Sequence, residues 1–207
     1  MNAGLSNLDT LRKHLLASSM SADPRFDAII QAIGLGVAGL FEGFTNRRLA
    51  WSAQDQLVFS GERPFVILPR YPVVAIAAAE TRFSDADEWV AGDLVHQLDA
   101  ASGVVRFLTA PGSELSQVRI TWSGGYWFNT AEPDDDNFPD VRPAGATELP
   151  GDIRGAFLLQ CEHVWAQRDK LGAGILDKPS ERGSQAELDL VPLVKQMLAR
   201  HIRYALA

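Results

Sequence analysis

The residues of this sequence that could do chemistry fall into three sets: a run of acids, scattered imidazoles with one thiol, and a knot of aromatics. Asp134-Asp135-Asp136 could attract a divalent ion, yet it lacks the alternating spacing and the glycine of a calcium loop, so a solvated acidic loop is expected. Carboxylates of the same stretch could serve as acid and base in a small hydrolase. Such a pair belongs on rigid elements, and this one sits among prolines and glycines. His14, His96, His163 and His201 are dispersed. In Cys161-Glu162-His163 the thiol and imidazole point roughly 200° apart on a helix, so they cannot share a metal. Gly34-x-Gly36-x-x-Gly39 has the letters of a dinucleotide fingerprint but lies in an apolar helical pattern and follows no strand. There is no Gly-x-Ser-x-Gly elbow. Trp122, Tyr126, Trp127 and Phe128 could stack on single-stranded DNA. Without basic neighbours they read instead as a core or interface cluster. No catalytic, metal-binding or cofactor-binding set emerges.

Composition sets the bounds. The 207 residues suit one domain with a real core, and 46% hydrophobic with 22% charged residues is ordinary for a soluble protein. A net charge of −7 argues against a protein that grips nucleic-acid phosphates, which needs clustered Lys and Arg. It does not exclude one that lets DNA slide past. The single cysteine, Cys161, excludes a disulfide framework and reads as a small buried residue. The N-terminus lacks the blocks of a signal peptide. The longest uncharged run, 28–41, falls short of the ~20 residues of a membrane span. No membrane partner is expected, and the chain should stay in a cytoplasm or be built into a particle there.

The elements follow from periodicity. Ser6 can cap a first helix, with Leu8, Leu11, Leu15 and Leu16 on its apolar side, before a break at 18–21. Asp23-Pro24 starts a second helix carrying Phe26, Ile29, Ile30, Ile33, Val37, Leu40, Phe41 and Phe44 at helical spacing. Gly34, Gly36, Gly39 and Gly43 weaken that helix by about 1 kcal/mol each, so close approach is expected, within the chain or against a neighbouring subunit. Gly36, Gly39 and Gly43 are the candidates for subunit packing. After Asn46-Arg47-Arg48 the period changes to 2, with strands predicted over 56–59, 65–68, 73–80, 94–98, 104–108 and 118–122. Residues 99–103 make a hairpin loop. Residues 129–148 are polar, proline-bearing and long, and a flexible acidic loop is expected.

A helix over 150–171 should follow, with Ile153, Phe157, Cys161, Val164 and Trp165 on one stripe and Gly172 as its cap. Residues 172–183 link it to a closing helix within 184–207, in which Pro192 must occupy or precede the first turn. That helix carries Leu190, Leu193, Val194, Met197, Leu198, His201, Ile202 and Ala205 on a broad apolar face, edged by Lys195, Arg200 and Arg203. An exposed apolar face with a basic edge suits a partner, and Leu193, Met197, Arg200, His201, Arg203 and Tyr204 are the candidates. The expectation is a single α+β domain, mainly helical. It is a helical bundle (1–49, 150–171, 184–207) with a small inserted antiparallel β unit (50–125) and an acidic flexible loop (126–149).

The order of segments resembles the head–tail connector proteins (adaptor, head-completion) of tailed bacteriophages. The matching stretches are Thr10-Leu11-Arg12-Lys13-His14-Leu15-Leu16, Asn46-Arg47-Arg48-Leu49, Leu68-Pro69-Arg70-Tyr71-Pro72-Val73-Val74, and Leu98-Asp99 followed by Gly103-Val104-Val105. Last come Val118-x-Ile120-x-Trp122-Ser123-Gly124-Gly125 and Leu149-Pro150-Gly151-Asp152-Ile153-Arg154-Gly155-Ala156, with Arg168-Asp169 closing the helix. The family commonly has Tyr where Trp122 stands and Glu-Asp at Gly151-Asp152. The insert 129–148 and the longer C-terminal helix depart from its pattern. The resemblance implies a virion protein without enzymatic activity or cofactor, forming a ring, usually of twelve copies, at the head–tail junction. Such a ring meets the portal, often through the C-terminal segment, and a tail completion protein, and extends the DNA channel without gripping DNA. An acidic chain suits that conduit, because each neutralised phosphate adds affinity and drag. The competing readings are a small acidic hydrolase and a nucleic-acid-binding accessory of DNA packaging.

Overall fold

The computed structural model describes residues 3–16, 23–92, 94–168 and 189–204. The chain divides into two compact units. One comprises Met1–Asn46, Phe128–Arg142 and Leu149–Ile202; the other comprises Arg47–Trp127, Pro143–Glu148 and Arg203–Ala207.

The first unit is helical: α1 (Leu8–Leu15), a 3-10 turn (Pro24–Phe26) running into α2 (Asp27–Thr45), α3 (Gly151–Ala166) and α4 (Pro192–Leu198). Its core is apolar and closely packed, with Leu11, Ile30, Val37, Phe41, Ile153, Phe157 and Val194 fully buried. Phe41 meets Phe157 edge-on, as Phe26 meets Trp165. The cap of α1 is Asn7, one residue later than Ser6: its side chain accepts the Thr10 N–H at 2.9 Å. Asp23 caps the 3-10 turn, with Pro24 at the first position. Asn46 ends α2 in the left-handed region (φ 51°), which asparagine tolerates. Gly34 is the glycine that close approach requires within the chain. A Cβ there would collide with the Ala3 carbonyl oxygen and stand 2.9 Å from a Leu11 methyl. By length and composition Pro24–Thr45 could cross a membrane. Its inner side, Ile30, Ile33, Val37 and Phe41, is spent on the core of this unit.

The second unit is built of strands: β1 (Ser52–Ser60), β2 (Phe65–Ile67), β3 (Val73–Arg82), β4 (Val90–Ala91), β5 (His96–Asp99), β6 (Val104–Phe107), β7 (Gln117–Gly124), β8 (Tyr126–Trp127) and β9 (Thr147–Glu148). A four-stranded antiparallel sheet has the order β1-β7-β3-β4, and a three-stranded antiparallel sheet the order β2-β6-β5. β8 and β9 form a parallel pair. The apolar strand β7 is central, and Trp122 is fully buried with its indole N–H on the Arg70 carbonyl at 2.9 Å. One apolar cluster joins Phe59, Leu68, Val105, Val118, Ile120 and Trp122.

The expected mainly helical bundle with a small β insertion is therefore corrected. Among the described residues strands hold about as many positions as α-helices. Two physical reasons account for it. Polar residues such as Asp55, Ser60, Thr81 and Arg82 continue the ladders of β1 and β3 beyond their apolar centres. The helices also end early. At the end of α3 the Gln167 N–H reaches the Val164 and Trp165 carbonyls, and Arg168 Nη1 adds a bond to Trp165 at 3.0 Å. Beyond α4 a 3-10 turn (Ala199–His201) gives way to extended backbone at Ile202. The expected break at 18–21, the Gly172 cap, the link 172–183, the start of the closing helix and Ala205 lie outside the described residues.

Candidate assembly surfaces

The motif letters around Arg47 and Arg70 build a clasp inside the β unit. Arg47 is 4% exposed, its guanidinium carbon 3.5 Å from the centre of the Tyr71 ring and 5.1 Å from that of Tyr126. It donates through Nη2 to the Tyr71 carbonyl. The Arg48 N–H bonds the Pro69 carbonyl at 2.7 Å. Asp55, buried on β1, accepts from Arg48 Nη1 at 2.6 Å and Arg70 Nε at 2.7 Å. Two cations thus surround one buried carboxylate, the arrangement that keeps a buried charge affordable. Gly125 (φ 93°) lets the chain pass the Ala50 carbonyl, where a Cβ would come within 2.6 Å. Asp55 did not stand out in the sequence; a lone acid in a strand opposite two arginine motifs is the signal that would have found it.

The expected partner-binding residues separate between the units. In the helical unit α4 turns Val194 and Leu198 fully inward and leaves Leu193 54% exposed. Met197 is half-buried, its methyl 3.7 Å from where a Gly155 Cβ would stand. Arg200 Nε and His201 Nε2 both donate to Asp152 Oδ2, at 2.9 and 2.6 Å. Burial alone would raise the Asp152 carboxyl. The His201 hydrogen bond and charge, the Ile153 N–H and Arg200 outweigh it and hold the carboxyl below its ordinary value. In the β unit Arg203 Nη1 donates to the Ile67 carbonyl at 3.1 Å, and Tyr204 is exposed. Both border a groove of about 270 Å³ whose other walls include Leu57, Val58, Arg63, Phe65 and Ile67.

The glycine candidates also separate, by contact. Gly36, Gly39 and Gly43 have open space where a side chain would go, on the exposed side of α2 with Ala28, Ala32 and Leu35.

The acidic loop has definite partners. Asn7 Nδ2 bonds the Ala131 carbonyl at 2.8 Å, and Glu132 accepts the Leu8 and Asp9 N–H groups at 2.9 and 3.0 Å, at the positive end of α1. Asp140 accepts from the Thr130 hydroxyl, whose hydrogen bond together with backbone N–H groups holds its carboxyl low. Asp135 takes the Glu132 N–H. Among the described residues no cluster of His, Cys, Asp or Glu could hold a metal ion. His96 bonds the Leu94 carbonyl, His163 meets Gln167, and His14 lies 3.7 Å from Glu162. Cys161 is buried, and burial pushes its thiol up to about 12, which disfavours the thiolate form. Trp122 and Tyr126 belong to the core of the β unit, and Phe128 to that of the helical unit.

No protein-family model matches this chain, and no curated protein matches its sequence. Among solved structures it is similar to a chain in the neck of an empty GTA particle computed with C6 symmetry. The TM-score is 0.62 at 18% identity, over 97% of this chain and 90% of the other. At that identity the likeness establishes a shared fold.

Proposed function

We propose that this chain is a structural neck protein of a phage-like particle, placed at the head–tail junction of the virion and without catalytic activity. The observation that carries the reading is the fold shared, nearly end to end, with a chain from the neck of a GTA particle. The segment order in the sequence supports it independently, since it resembles head–tail connectors. In this reading the copies form a closed ring between portal and tail completion protein, and DNA passes through its channel. A six-fold average accommodates six copies or twelve. A net charge of −7 favours a conduit that does not hold DNA. Several carboxylates of the acidic insert serve the fold, which supports a structural reading: Glu132 accepts N–H groups of α1, Asp135 the Glu132 N–H and Asp140 the Thr130 hydroxyl. Portal-bearing heads that lack necks, incubated with the purified chain, should gain it in stoichiometric amount and become competent to receive tails. Heads that bind none, or that accept tails without it, would overturn the reading.

A further inference from the structure

The four-stranded sheet has two unlike lateral edges, and they match each other. β1 is one edge and β4 the other. The register sets Ser60, Gln117 and Arg82 in one row, so the ends of β1 and β3 lie at the same level. Beyond that row, the β4 edge carries the β3–β4 connection, residues 83–89. Phe83 is 75% exposed there, and Asp85, Asp87 and Glu88 are exposed beside it. The connection is anchored: Arg82 and Arg119 guanidiniums lie 4.4 and 4.5 Å from the Trp89 ring centre, and Glu80 pairs with Arg119 at 2.7 Å. At the β1 edge is the groove of about 270 Å³ walled by Leu57, Val58, Phe65 and Tyr204, with Arg63 and Arg203 at its margin. One edge is thus an aromatic knob among acids and the other an apolar groove among bases. Asp85 is occupied by Arg82 and Asp87 by the Ser84 N–H. Among the described residues Glu88 and Arg63 have no side-chain partner.

We propose that these edges join copies of this chain: Phe83 of one copy enters the Leu57–Val58–Phe65 groove of the next, and Glu88 pairs with that copy's Arg63. The inference rests on the ring reading and specifies its contact. A cavity of about 150 Å³ takes a benzene ring, so the groove has room for a phenyl group. The pairing is head-to-tail, the kind of contact that closes into a ring when the rotation per copy is right. A two-fold dimer through either edge would set acid against acid or base against base, which complementarity disfavours. Glu62, next to Arg63, is exposed and keeps the charge match local.

The test combines crosslinking with charge reversal on the full chain. Phe83→Cys with Val58→Cys cannot bridge within one copy: Phe83 follows the end of β3, two strand spacings (roughly 10 Å) from β1, and lies three residues (roughly 10 Å along the strand) beyond the row that holds Val58 and Glu80. The native Cys161 is buried. Oxidation of the assembled double variant should give a ladder of covalent oligomers, and either single variant should give none. Arg63→Glu should weaken assembly at least about tenfold by mass photometry, and Arg63→Glu with Glu88→Arg should restore it to within about threefold. Rings that form normally, yet give no ladder and ignore Arg63→Glu, would overturn this contact and leave the ring reading standing. A chain monomeric at every concentration, alone and on heads, would remove both.

Discussion

The guanidinium of Arg47 lies over Tyr71, its central carbon 3.5 Å from the ring centre, with the ring centre of Tyr126 at 5.1 Å. A buried cation–π contact contributes about 2 kcal/mol, and a hydrogen bond to a charged group ~1.5–3 kcal/mol. Arg47→Ala should therefore destabilise the β unit by about 2–4 kcal/mol, measured by denaturant unfolding. Arg47→Lys should recover only part, because an ammonium cannot stack and donate in the same plane. Wild-type stability in both variants would show that the stack contributes nothing.

Asp152 links the start of α3 to the turn after α4. Its native carboxyl lies below the ordinary value of 3.8, so its stabilisation is fully present above that value and is lost as pH falls through the lowered native one. Asp152→Asn should cost about 1–3 kcal/mol at neutral pH. The difference from the parent should vanish in acid. A cost that is constant across the whole pH range would assign the loss to packing.

Glu132 serves α1 from outside the helix, accepting the Leu8 and Asp9 N–H groups. Glu132→Ala should lower stability by about 1 kcal/mol, as loss of a cap does. It should also speed proteolytic cutting within 133–139 several-fold. Equal cutting rates would show that Glu132 does not tether the loop.

The outer side of α2 gives a contrast between neighbours in sequence. Gly34→Ala should destabilise the isolated chain, because its Cβ meets the Ala3 carbonyl, whereas Gly39→Ala should stabilise it by up to about 1 kcal/mol. If a neighbouring copy covers this side, Gly39→Leu should keep the melting temperature and lose the ring. A ring unaffected by Gly39→Leu would remove Gly36, Gly39 and Gly43 from the subunit interface.

How far the sequence was legible depends on where the information lies. Period 2 around Val118, Ile120 and Trp122 announced the central strand, and Pro24 and Pro150 marked helix starts, because those signals are local. The weight of the β unit was not legible: polar residues such as Asp55 and Thr81 hold the ladder through backbone pairing, which side-chain pattern does not record. The early end of α3 depends on Gln167 and Arg168 turning back on Val164 and Trp165, a matter of geometry. The site fared likewise. Of the candidates for a partner, Leu193 and Tyr204 are exposed, whereas α4 commits its Val194 and Leu198 to the core. The Asp55 clasp and the Phe83 knob required strand register to be seen.

The proposed place at a particle neck requires that copies of this chain close into a ring. Native mass spectrometry of the full chain across a concentration series, with class averages from electron microscopy of the same samples, measures it most directly. A discrete species of six or twelve copies with a continuous central channel is expected. A species that stops at a two-fold dimer, or grows into open filaments, would contradict the ring.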